Sequence, residues 1–399
     1  MYADKVDNFL ARKADECATD EPKAIWSTIL KLHSLKLWHQ FSMEVTAALR
    51  NAAFVKTLDM GEFWDNVISV YKATLAPYTV ADIARFRAHD IFDKEGRVKA
   101  KAFLEELITY FKKDIGSVIR LKTVLIELYV LQGGLPKETE DVKPNDFIAE
   151  VLEQVEQCPG NTEALSAYYY ALMKYYIMTC EYTQLYRATV NYLDVARDIT
   201  HFTPQEILSY SYHMCESAVL SDEIFDLGEC YNHPIHETAM KISNDNKWIL
   251  LFVDAFVQGD MNKFNSSGYM KNNTYANKHE LLERKIRLCA TMNFVSHTKS
   301  YHIPYAAFVQ YCGVTWEQVE YLLMKAVSQK LIRGKINEVD KVFDLEWIKP
   351  RTLGKKHLVV LRNRYSEWSK GVKGLKEEYK QNMGELKEIS HPPGGEVCM

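Results

Sequence analysis

From the start of the chain to about residue 330, helical periodicity dominates: apolar side chains recur at steps of three and four. Trp38, Phe41, Val45 and Leu49 keep this spacing, and so do Leu165, Tyr168, Tyr169, Leu172 and Tyr176. Residues so spaced share one face of a helix. The pattern covers segments near 22–50, 60–75, 98–132, 145–157, 162–197, 203–220 and 246–296. The breakers between them are few: Pro77, Gly133-Gly134 to Pro136, Pro159-Gly160 and Pro204. With 17 glycines and 11 prolines in 399 residues, the chain holds too few turn residues for an all-β sandwich. Short helices joined by short connections, none able to bury its own face alone, predict a mostly α chain built as a helical-repeat, tetratricopeptide-like solenoid. No fixed period is legible. Segment 131–146 is expected to be a long loop, because its Gly, Pro and charged residues offer little to a core. Tyr168, Tyr169, Tyr170, Tyr175 and Tyr176 are read as interhelical packing with hydroxyls reaching a polar neighbour, in preference to a peptide groove.

After residue 300 the period changes. Tyr305–Tyr311 reads as a short helix stopped by Gly313. Thr315 and Gln318 have the spacing of a capping box that opens a second helix, with Val319, Leu322, Leu323, Ala326 and Val327 as its apolar stripe. Ile332 and Ile336 then alternate with Arg333 and Lys335, and Phe343, Leu345 and Trp347 alternate with Asp344 and Glu346. Period two on both sides of a turn at Asn337–Lys341 predicts a β-hairpin. Helix, helix and hairpin in that order make a winged helix. The helix from Trp316 carries Glu317 and Glu320 against Lys325 alone. A helix that enters a DNA groove needs more positive charge than that. The wing's other use is edge pairing with a second chain, through Leu331, Ile332, Arg333, Lys335, Ile336, Phe343, Leu345 and Trp347.

The last helix has a different character. Leu358, Leu361, Tyr365, Trp368, Val372, Leu375 and Tyr379 follow alternating steps of three and four, a heptad seam of the kind that joins helices into bundles. Between Lys349 and Lys387 there are 11 Lys and Arg and 4 Asp and Glu, a net of +7. The whole chain carries −4, so the remaining residues sum to −11. These seven seam residues are expected to bind partner chains. The tail from 389 to 399 is expected to be disordered.

The search for chemistry is short. There is no phosphate loop and no H-E-x-x-H pair. The eight cysteines form no C-x-x-C pair, and His233 and His236 have no neighbouring ligands in sequence. Ser296-His297-Thr298-Lys299 matches a Ser–Lys hydrolase motif in letters only. No catalytic residue, cofactor or metal is expected. Scattered thiols and an N-terminus without export features predict an intracellular protein without disulfides, and no apolar run reaches the length of a membrane span.

Two stretches carry a resemblance. Trp248–Phe264, with Gln258-Gly259-Asp260, is similar to the helical lead-in of the PCI-domain family. Val319–Asp340 is similar to that family's hallmark helix and hairpin, although Asn337 stands where an acidic residue is common. Lys36–Gln40, Phe225–Glu229 with His233-Pro234, and Trp347–Arg351 resemble one group within it. That group is the lid subunits of the 26S proteasome regulatory particle of the non-ATPase subunit 13 type. The resemblance implies a solenoid over 1–245, a PCI core over 246–350 with its winged helix at 298–350, and a bundle helix over 351–388. It further implies a noncatalytic scaffold in the cytoplasm and nucleus, acting in lid assembly and ubiquitin-dependent degradation. Its partners would be other PCI subunits, MPN-type subunits and a nearby ubiquitin receptor, with no nucleic acid and no membrane. The other readings are a PCI subunit of the signalosome or of a translation-initiation complex, and a winged-helix nucleic-acid binder.

Overall fold

The structure is a computed structural model. It describes residues 2–16, 20–51, 54–55, 58–131, 144–158, 160–196, 202–243, 247–298, 300–350 and 355–390. Most of the expected loop at 131–146, the expected boundary at 245 and the tail after 390 lie outside these residues. The chain divides into two compact units, residues 1–221 and 222–399.

The first unit is all helix: α1 (Tyr2–Glu16), α2 (Asp20–Ser34), α3 (Trp38–Arg50) and α4, which runs Met60–Phe63, through a π-helical Trp64–Ile68, into Ser69–Tyr71. It continues with α5 (Pro77–Glu95), α6 (Arg97–Tyr110), α7 (Ile115–Leu131), α8 (Pro144–Glu156), α9 (Thr162–Thr179), α10 (Tyr182–Val195) and α11 (Pro204–Leu220). Helices adjacent in sequence mostly pack on each other, as short connections require. Four of the segments that carry the helical pattern hold more than one helix: 22–50, 98–132, 162–197 and 246–296. The break in 22–50 is Lys36 (φ 56°), and the break in 162–197 is Cys180 (φ 57°). Both sit in the left-handed region without being glycine, which costs about 1 kcal/mol. The turn recovers backbone bonds in return: Leu37 N–H donates to Leu32 O at 3.1 Å, and Glu181 N–H to Tyr176 O at 3.3 Å. Asn161 caps α9 through its side chain, which accepts from Ala164 N–H at 3.1 Å, as its residue type favours. His33 is buried. Its ring joins Asp7 of α1 at 2.6 Å to the Tyr71 hydroxyl of α4 at 3.0 Å.

Helix α7 lies at the centre of this unit, against α5, α6, α8 and α9. It is buried on every side from Ser117 to Leu128 except for Val118, so Arg120, Lys122, Thr123 and Glu127 go inside with it. Each finds a partner. Arg120 binds Asp82. Lys122 donates to Glu150 at 2.6 Å and Gln154 at 3.1 Å. The Thr123 hydroxyl donates to Arg120 O at 2.7 Å. Glu127 accepts from Arg85 Nε at 2.8 Å and meets His89 Nε2 at 3.3 Å. Such matching offsets the cost of burying the charges of α7.

The second unit begins with α12 (Gly228–Asn232), α13 (Pro234–Ile242), α14 (Lys247–Gln258), α15 (Met261–Ser266), α16 (Asn273–Ala276) and α17 (His279–His297). Phe252 of α14 stacks on Phe264 at 5.6 Å and on Tyr269 at 5.0 Å between ring centres. Gly259 ends α14 at φ +64°, and a Cβ there would lie 2.7 Å from Ala290 Cα. Only glycine meets both demands. Asp260 then caps α15, accepting from Asn262 N–H at 2.9 Å and Lys263 N–H at 3.3 Å.

The chain continues through β1 (His302–Pro304), α18 (Tyr305–Cys312), α19 (Trp316–Ser328), β2 (Ile332–Asn337), β3 (Val342–Ile348) and α20 (Lys355–Ser390). The sheet is antiparallel in the order β1-β3-β2. Val319, Leu322, Leu323 and Ala326 of α19 are buried together with Phe308, Leu331, Ile332 and Phe343. The expected capping box opens α19, with Thr315 N–H donating to Gln318 Oε1 at 3.3 Å. A bulge lies between Arg333 and Gly334. A Cβ at Gly334 would collide with Asp344 O and the Phe343 ring, so the bulge needs glycine.

Candidate functional site: the wing and the terminal helix

The two surfaces expected from sequence differ in what the fold leaves exposed. On the wing, Leu331, Ile332 and Phe343 have buried side chains. They build the winged-helix core and can meet a partner only through their backbone. Arg333, Lys335 and Trp347 are exposed, and Ile336 and Leu345 are half-buried. The Arg333 guanidinium sits 5.1 Å from the centre of the Trp347 ring, directly across the strands.

The edge itself needs correcting. Phe343, Leu345 and Trp347 were expected on it, but β3 is the middle strand. Its Val342–Asp344 pairs with β1 on one side while β2 covers the other. Tyr305 N–H also donates to Lys341 O at 2.9 Å, and Leu345 N–H to Tyr301 O at 2.8 Å. The hairpin's free edge is therefore β2, the Ile332–Asn337 strand. Strand β1 has three residues, one of them Pro304. That is too short to show period two, so the third strand was not legible.

The terminal helix is the opposite case. Leu358, Leu361, Tyr365, Trp368, Val372, Leu375 and Tyr379 are all exposed, Trp368 at 70% and Leu361, the least, at 38%. Every described side chain from 358 to 380 is exposed. Gly371 and Gly374 lie within the helix and do not interrupt it. At 36 residues it is about 54 Å long. A helix of this length with an uncovered apolar seam is what partner helices cover in a bundle.

A third surface escaped the sequence reading. Trp316, Tyr321 and Met324 of α19 are exposed, at 54%, 57% and 49%. Their signal was available, since each is an apolar residue off the buried stripe of an amphipathic helix. Glu317 is exposed beside them and Glu320 half-buried. This face has the wrong sign for phosphate.

Chemistry is thinly represented among the described residues. His236 is buried with its Nε2 4.0 Å from Cys230 Sγ, and His233 caps α13, accepting from Ile235 N–H at 3.3 Å. Ser296 and His297 are exposed on the last turn of α17. A cavity of about 410 Å³ in the first unit is lined by Lys112, Lys122, Gln154 and Gln157 among others. Lys122 is already paired there with Glu150, and no acid, base and nucleophile converge. Lys285 of α17 is buried near Phe225, and burial brings its ammonium down to about 8. No described helix is long and apolar enough to cross a membrane.

Comparison with known proteins decides the family. Residues 25–253, more than half of the chain, match the family described as PSD13 N-terminal repeats. The chain belongs to the PSD13 family. Residues 269–347 match the PCI domain, which covers α17, the winged helix and its sheet. The 26S proteasome non-ATPase regulatory subunit 13 of Dictyostelium discoideum is 23% identical over 85% of this chain and 88% of its own length. The 26S proteasome regulatory subunit RPN9 of Saccharomyces cerevisiae is 24% identical over 86% and 89%. A shorter match is to eukaryotic translation initiation factor 3 subunit M of Chaetomium globosum, 27% identical over 31% of this chain. PSD13 relatives thus align through both units, whereas the initiation-factor subunit aligns over about a third of the chain.

Proposed function

We propose that this chain is a noncatalytic scaffold of the proteasome regulatory-particle lid and acts in lid assembly and ubiquitin-dependent degradation. Its membership of the PSD13 family and its likeness to named 26S proteasome regulatory subunits along both units support this reading. The observation that carries the mechanism is the uncovered seam of α20. The seam joins helices of other lid subunits, while the backbone edge of β2 extends the sheet of a neighbouring PCI subunit. MPN-type subunits and a ubiquitin receptor are the expected neighbours, in cytoplasm and nucleus. The short match to an initiation-factor subunit makes another PCI assembly the weaker reading.

The test is truncation after Pro350. The shortened chain should keep its fold and thermal unfolding while disappearing from the purified lid. Its recovery in intact lid at the normal level would overturn the proposal. Within the full chain, Ile336→Pro removes one amide donor from β2 and should weaken pull-down of the adjacent PCI subunit. An unchanged pull-down of the soluble variant would remove edge pairing from the mechanism.

A further inference from the structure

The outward face of α19 and the seam of α20 are complementary in charge and in chemistry. On α19, Trp316, Glu320, Met324 and Ser328 follow one row of side chains, and Glu317, Tyr321 and the half-buried Lys325 follow the next. Single exposed apolar residues are ordinary, but three on one face of a 13-residue helix form a patch. Trp, Tyr and Met are also enriched at the buried centres of interfaces. Glu317 and Glu320 against Lys325 leave this face with a net negative charge, which favours a cationic occupant.

This chain itself carries an element of that description. Between Leu358 and Lys376, α20 has Arg362, Arg364, Lys370, Lys373 and Lys376 against Glu367 alone. Leu358, Leu361, Tyr365 and Trp368 stand exposed among them. Two α20 helices paired along their seams would set Arg362, Arg364 and Lys376 on the flanks of the contact, where like charges repel. Within one copy neither surface covers the other, because both are exposed.

We infer that two copies of the free chain exchange terminal helices. The basic seam of α20 in one copy lies on the acidic, aromatic face of α19 in the other, and the contact is repeated by two-fold symmetry. The 13 residues of α19 provide about 20 Å of helix contact, made twice. The exchange keeps the seam out of water until lid helices displace it. The inference concerns the purified chain alone, so it stands or falls separately from the lid reading.

The test is sedimentation velocity on the full-length chain at tens of micromolar. A dimer is expected, and a monomer at that concentration overturns the proposal. Glu317→Lys with Glu320→Lys should weaken the dimer at least about tenfold, and Arg362→Glu with Arg364→Glu should do the same. All four sites lie on exposed or half-buried helix faces, and circular dichroism checks that each variant is folded. Mixing the two weakened variants should restore a dimer, because each α20 then meets an α19 of opposite charge. A dimer that survives Glu317→Lys with Glu320→Lys, or a mixture that stays monomeric, overturns the assignment of the two faces to each other.

Discussion

Helix α7 buries what a helix normally shows to water, and helix α20 shows what a helix normally buries. The difference lies in where each finds its partners. Arg120, Lys122 and Glu127 of α7 are buried, yet Asp82, Glu150, Gln154, Arg85 and His89 on neighbouring helices meet them. Tyr365, Trp368 and Leu375 of α20 are exposed, and none of the described side chains from 358 to 380 is covered. The first helix is completed by its own chain. The second has an apolar seam that its own described residues leave exposed, and the proposed scaffold role assigns it to another chain. Stability and assembly are thus held by different residues, and they should be separable by substitution.

The largest effect on stability should come from Glu127→Ala. Burial alone would raise the Glu127 carboxyl, but the His89 hydrogen bond and the charges of Arg85 and Arg120 outweigh it and hold the group at about 2. Removing it breaks the buried pair with Arg85, while Arg120 keeps Asp82, at a cost of about 3 kcal/mol. Chemical denaturation of the purified chain measures this. The matching pH dependence has a definite sign. The folded value lies below the ordinary 4.5, so the contribution is full above that value and is lost as pH falls toward 2. Trp368→Ala supplies the contrast: denaturation of the chain diluted to a monomer should be unchanged, while incorporation into the lid should fall. A stability loss of similar size in both variants would abolish the distinction between the helices.

A smaller effect is expected at Lys285. Burial depresses its ammonium from the ordinary 10.5 to about 8. Below pH 8 the folded chain therefore carries this charge at a cost. Between pH 8 and 10.5 the unfolded chain binds more protons than the folded one, so stability rises with pH, and Lys285→Met should lack that rise. Thermal unfolding of both proteins at pH 7 and pH 10 checks this. The smallest effect belongs to Gly371→Ala and Gly374→Ala. A Cβ at either position meets nothing, so each should favour α20 by up to about 1 kcal/mol. This would appear as added helix signal in circular dichroism without a change in unfolding temperature.

The same contrast explains what was legible in the sequence. The seam of α20 was, because an unbroken three-four spacing from Leu358 to Tyr379 needs no tertiary context. The capping box at Thr315, the stop at Gly313 and the two strands of the hairpin were legible for the same local reason. What stayed hidden depends on contacts distant in sequence. Helix α5 (Pro77–Glu95) was not anticipated; its buried residues Val80, Ala81, Ile83, Ala84, Ala88 and Ile91 do not form one clean stripe. The helix breaks at Lys36 and Cys180 use residues that carry no turn signal. Strand β1 exists only because β3 offers it an edge. On the wing, alternation identified the strands but could not tell the outer strand from the middle one.

In the assembled lid, α20 should be covered by other subunits. Lysine cross-linking with mass spectrometry on the intact native complex tests this directly. Lys370 and Lys380 stand on the exposed helix. They should link to helices of other lid subunits, at Lys370 and Lys380 together along one bundle. Links from these lysines confined to this chain in a complex that contains it would contradict the account.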